Sequence, residues 1–89
     1  MPYIPKETRK KFGDALSQCN PRIVGELTYC IYFLCLRYLE GQDCAASRYR
    51  YSYTIMAEVI SALQCSLQEF YRRVVAPYED KKRKQNGDV

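Results

Sequence analysis

The sequence predicts an all-α protein, on three observations. Ile55, Val59, Leu63, Leu67, Phe70 and Val74 recur at helical spacing as one unbroken stripe. Asn20-Pro21 and Gly41 punctuate the first half as a helix start and a helix stop. Between them, Leu27, Tyr29, Cys30, Ile31, Tyr32, Phe33, Leu34, Cys35, Leu36, Tyr38 and Leu39 point in every direction around a helix axis. The architecture these imply is a small three-helix bundle-like protomer with long second and third helices, a single helical domain over residues 1–89.

Pro2 and Pro5 keep the first residues extended, because the residue before a proline is pushed out of the α region. A first helix follows from about Lys6 to Gln18, with Ile4, Phe12, Ala15, Leu16 and Cys19 on its apolar side. The second helix starts with Asn20 as N-cap and Pro21 at its first position, and runs to about Glu40. Residues 41–52 form the main connection, in which Tyr49, Tyr51 and Tyr53 alternate with Arg48, Arg50 and Ser52 at a period of two. That alternation reads as a short extended segment with tyrosines on one side and arginines on the other. The third helix ends or kinks at Pro77, near Ala76. A further helical turn or two follows over Tyr78–Lys84, and a loose basic tail is expected from about residue 81 to residue 89.

A helix that is apolar all round must be surrounded, and two neighbouring helices cover only part of it. The remainder marks an interface, so a homo-oligomer (a dimer or higher) is expected, with Tyr29, Ile31, Phe33, Leu34 and Tyr38 of the second helix at the contact. The alternative leaves those tyrosines on the surface with their hydroxyls in water.

The chain has no histidine, which excludes histidine general acid–base chemistry, histidine-dependent nucleophiles and imidazole metal sites. The five cysteines, Cys19, Cys30, Cys35, Cys44 and Cys65, include no C-x-x-C pair, so zinc-ribbon and thioredoxin-like readings fail on spacing. An odd count without a leader-like apolar run fits free thiols in a reducing cytosol. The most apolar run, Tyr29–Leu36, is far shorter than the about 20 residues that span a bilayer. Paired acids occur as Glu79-Asp80 beside a lysine run, and the four glycines are scattered rather than grouped into a phosphate loop. The expectation is a binding protein: not an enzyme, with no cofactor and no metal.

Net charge is +4, with both ends basic. Lys6, Arg9, Lys10 and Lys11 outweigh Glu7, while residues 12–70 carry more acids than arginines, and residues 71–84 return to a net +4. Such ends suit phosphate-bearing partners, or serve only solubility. Two clusters combine planar cations with flat rings. Arg72 and Arg73, with Tyr71 and Tyr78, sit near the end of the third helix; Arg48 and Arg50, with Tyr49 and Tyr51, sit in the connection. Each is a candidate ligand-binding site in which arginines hold phosphates and tyrosines stack on bases. The plainer reading of the first is a set of ion pairs to Glu69, three and four residues upstream, near a favourable helix C-terminus. Glu26 stands beside the apolar stretch as a possible buried partner for an arginine of the third helix.

Gly25-Glu26-Leu27-x-Tyr29, the block Glu69-Phe70-Tyr71-Arg72-Arg73-Val74-Val75-Ala76-Pro77-Tyr78-Glu79-Asp80, and Asn86-Gly87-Asp88-Val89 resemble a family of small uncharacterised proteins of tailed bacteriophages. The likeness covers roughly residues 22–40 and 53–89, and departs from the family at the cysteine- and tyrosine-rich second helix and at Arg48–Tyr53. The resemblance implies phage origin and carries no enzymatic assignment. Small, oligomeric, non-catalytic phage proteins with basic pockets are similar to counter-defence proteins that sequester nucleotide second messengers. The function expected on that basis is a sponge in the host cytoplasm for a cyclic oligonucleotide or ADP-ribose-type signalling nucleotide, bound without cleavage. The alternatives are a protein–protein adaptor or inhibitor acting on a host or virion protein, and weak DNA binding by the basic ends.

Overall fold

Helix formation follows the apolar spacing and stops where capping allows. The computed structural model describes residues 3–42 and 53–89, and among them every regular element is helical. The elements are α1 (Lys6–Ser17), α2 (Val24–Gly41), α3 (Tyr53–Phe70), a π turn (Tyr71–Val75) and α4 (Ala76–Asn86). The chain divides into two units, Tyr3–Val59 and Ile60–Val89, with α3 beginning in the first and running on into the second.

In the first unit, Pro5 is extended (φ −57°, ψ 154°) and its carbonyl accepts the first helical bond, from the Arg9 N–H at 2.9 Å. At the far end Gln18 and Cys19 donate three residues back, to Ala15 and Leu16, tightening the last turn. Gly13 sits inside α1 with open space where a Cβ would be added. Gly13→Ala is therefore expected to raise stability by about 0.5–1 kcal/mol, read as a higher melting temperature.

The start of α2 differs from the expectation of Asn20 as cap and Pro21 as first helical residue. Ile23 is the cap residue, extended at φ −127° and ψ 161°, and the helix begins at Val24. Glu26 explains the shift: its Oε1 accepts the Arg22 backbone N–H at 2.7 Å, the reach-back of a first-turn acid that satisfies an otherwise orphaned donor. Glu26 is exposed and acts as this capping group, not as the buried partner expected for a third-helix arginine. Gly41 belongs to the helix rather than lying past it, and Gln42 caps the end by donating to Leu39. Cys30, Cys35, Leu36 and Leu39 are the half-buried positions of α2. Tyr38 ties α2 to α3 by donating its hydroxyl to Glu58 at 2.8 Å. The connection's Arg48, Tyr49, Arg50 and Tyr51 lie outside the described residues, as does the period-two segment they were expected to form; Tyr53 opens α3.

None of the described residues is fully buried. Tyr29, Ile31, Phe33, Leu34 and Tyr38 all stay exposed, Leu34 by 54%. On α3, Ile55 and Val59 are half-buried as the stripe requires. Further along, Leu67 and Phe70 are exposed, as is Val74 in the π turn; the half-buried positions there are Cys65 and Glu69 on α3, then Val75.

In the second unit α3 gives way to a π turn over Tyr71–Val75, directly before the Pro77 at which the sequence places an end or a kink. The helical run is uninterrupted through the proline because the turn before it widens: the Ala76 N–H reaches back five residues to the Tyr71 carbonyl. Pro77 then occupies the first turn of α4, where its missing N–H removes no bond that a helix start would have made. The helix continues to Asn86, so it includes the helical turns expected over Tyr78–Lys84 and extends further into the tail expected to be loose. Gly87 ends it at φ +86°, a backbone region open to glycine.

A π turn that carries paired arginines

The candidate site is built on this wide turn. Glu69, the last acid of α3, is half-buried, and its side chain is only 19% exposed. Its Oε1 accepts from Arg72 Nη2 at 2.7 Å and lies 3.8 Å from Arg73 Nε. The two arginine side chains are 68% and 63% exposed. One carboxylate is thus shared by two cations, and the local balance stays positive. Ion pairs this exposed contribute a few tenths of a kcal/mol at most. They hold the arginines in place more than they hold the fold together.

Tyr71 donates its hydroxyl to Glu79 in α4. A regular helix turns about 100° per residue, so seven residues nearly complete two turns while eight overshoot. The extra residue in the π turn brings position i+8 round to where i+7 would stand. Sequence spacing alone misses this pair, since Glu79 reads there only as a neighbour of Asp80. The bond to Glu79 pushes the Tyr71 hydroxyl above its usual titration range, with help from the Glu79 charge, partial burial and Asp80. Because the folded value is the higher one, the contribution of this bond is complete below the ordinary tyrosine range and is lost as pH rises through the raised value. Ultraviolet titration of tyrosinate should therefore show late-titrating groups in the parent, of which Tyr71→Phe removes one and leaves Tyr38, whose bond to Glu58 raises it as well.

Tyr78, in the first turn of α4, is exposed, and Lys82 Nζ lies 5.7 Å from its ring centre. Arg83 pairs with Asp80 at 3.7 Å. The structure therefore places Tyr71, Arg72, Arg73 and Tyr78 on the π turn and the first turn of α4. Whether the connection's arginines and tyrosines join them is a matter outside the described residues. Among those residues no group of three or more histidine, cysteine, aspartate or glutamate side chains is placed to hold a metal ion. Among the described residues no helix is long and apolar enough to cross a membrane.

Fold and site together define a small all-helical protein whose clustered cations stand on a distorted helical turn. The chain belongs to the family described as a domain of unknown function, DUF6899, whose model matches residues 1–89. No curated protein and no solved structure matches it.

Proposed function

We propose that this protein is a non-catalytic, self-associating helical module that sequesters a phosphate-bearing signalling nucleotide, of the cyclic oligonucleotide or ADP-ribose type. The observation that carries the reading is the π turn at Tyr71–Val75, which falls on the residues that combine planar cations with flat rings. Wide turns of this kind recur at functional sites, because they sacrifice regular hydrogen bonding to re-aim side chains. Two successive guanidiniums supply fork-shaped donors for phosphate, and Tyr71 and Tyr78 supply faces for bases. No histidine is present to move protons. Of the paired acids, Glu79 is engaged by Tyr71 and Asp80 by Arg83, which supports binding without cleavage. The biological setting we assign is phage counter-defence in the host cytoplasm, where holding a messenger suffices to silence it.

In this reading Glu69 competes with the ligand for both arginines. Glu69→Gln keeps the side chain's size and removes its charge, so nucleotide affinity should rise several-fold in calorimetry. Unchanged binding would place the site elsewhere, and weaker binding would make Glu69 a positioning group rather than a competitor.

The exposed apolar side chains of α2 favour a second reading, a protein–protein adaptor docking on a host or virion protein. The two separate in isolation: the sponge self-associates and binds nucleotide, and the adaptor does neither until its partner is added.

A further inference from the structure

We propose that Cys19 and Cys30 are a modification site: a thiol pair that closes into a reversible intramolecular disulfide by exchange with a small disulfide such as oxidised glutathione. The two Sγ atoms stand 3.5 Å apart, at van der Waals contact. Cys19 lies just past the end of α1 and is exposed, whereas Cys30 lies within α2 and is half-buried. Both line an open cleft of about 470 Å³, together with Pro21, Glu26 and Tyr29. Closing the pair needs the sulfurs to approach from 3.5 Å to about 2.05 Å.

The exchange balances in two steps. The Cys19 thiolate attacks one sulfur of the small disulfide, the old S–S bond breaks, and one glutathione thiolate leaves and takes up the proton Cys19 gave up. Cys30 then attacks the Cys19 sulfur, expelling the second glutathione, which takes the Cys30 proton. The protein loses two hydrogens and two electrons, and two glutathione thiols are formed. Exposure makes Cys19 the group that meets the oxidant first. The Cys30 thiol is held above its usual range, chiefly by its hydrogen bond with Cys19, then by partial burial and the charges of Cys19 and Glu26. Once Cys19 is capped, that hydrogen bond is gone and Cys30 is released to attack. The link closes a loop over residues 20–29, tying the end of α1 to the second turn of α2 across the segment 20–23.

The test is a redox titration of the full-length reduced protein in glutathione buffers of rising oxidised fraction, read by non-reducing peptide mapping and mass spectrometry. The expected product has lost the mass of two hydrogens, contains a Cys19–Cys30 linked peptide, and forms while Cys35 and Cys65 stay reduced. Reductant reverses it. Cys30→Ser should stop at one glutathione on residue 19, and Cys19→Ser should give neither product. A glutathione that persists on Cys19 in the parent, a link to Cys44 or between chains, equal reaction of all cysteines, or no reaction would each overturn the proposal.

Discussion

Replacing Leu34 with aspartate should dissociate the assembly or unfold the chain. The unmodified protein is expected to show at least twice its 10.5 kDa chain mass by light scattering at micromolar concentration. In an isolated protomer the substitution would cost little, because Leu34 is 54% exposed and a carboxylate there would reach water. Covered by a second copy, the same carboxylate would sit unpaired in an apolar seam, at about 3–5 kcal/mol. The size of the effect therefore reports what covers α2. Glu40→Ala is the control: it removes an exposed ion pair with Arg37, and should leave the mass unchanged. A stable, soluble monomer for the parent would contradict self-association.

The second large effect is on binding. Arg72→Ala/Arg73→Ala should weaken nucleotide binding at least a hundredfold. Hydrogen bonds to charged groups are worth roughly 1.5–3 kcal/mol each, and both forks are removed. The fold should persist by circular dichroism, because the exposed pairs with Glu69 contribute only tenths of a kcal/mol. Arg73→Lys should recover part of the loss, since an ammonium keeps the charge but not the planar fork. Neutralising Lys81, Lys82 and Lys84 should matter mainly at low salt, where their long-range attraction is unscreened. A double variant that binds like the parent would remove the site from the π turn.

Much of the helical framework is legible in the sequence, since period and punctuation fix where helices can lie. Lys6–Ser17 emerges within one residue from the prolines before it and the breaker after it. The apolar stripe marks α3, but a period says which residues share a face and nothing about what covers that face. Hence Leu67, Phe70 and Val74 follow the pattern and still stand exposed. The start of α2 escapes because one bond decides it, Arg22 N–H to Glu26, while Asn20-Pro21 offers a stronger local signal three residues early. Pro77 reads as an end or a kink, and the form the chain takes there, a π turn, is hidden because it is a property of the hydrogen-bond ladder rather than of any residue type. The pairing of Tyr71 with Glu79 follows from that turn and is hidden for the same reason. Glu69's ion pairs, by contrast, follow from i,i+3 and i,i+4 spacing and stand as read. The Cys19–Cys30 contact crosses a helix break, where spacing carries no geometry.

In the proposed function the π-turn arginines hold a phosphate-bearing nucleotide and do not cleave it. Its most direct test is calorimetry of the purified parent against a panel of cyclic dinucleotides, cyclic trinucleotides and ADP-ribose derivatives, followed by mass spectrometry of the ligand released on denaturation. At least one ligand is expected to bind, to be recovered intact, and to lose its binding in Arg72→Ala/Arg73→Ala. Absence of binding across the whole panel, or recovery of a cleaved product, would contradict it.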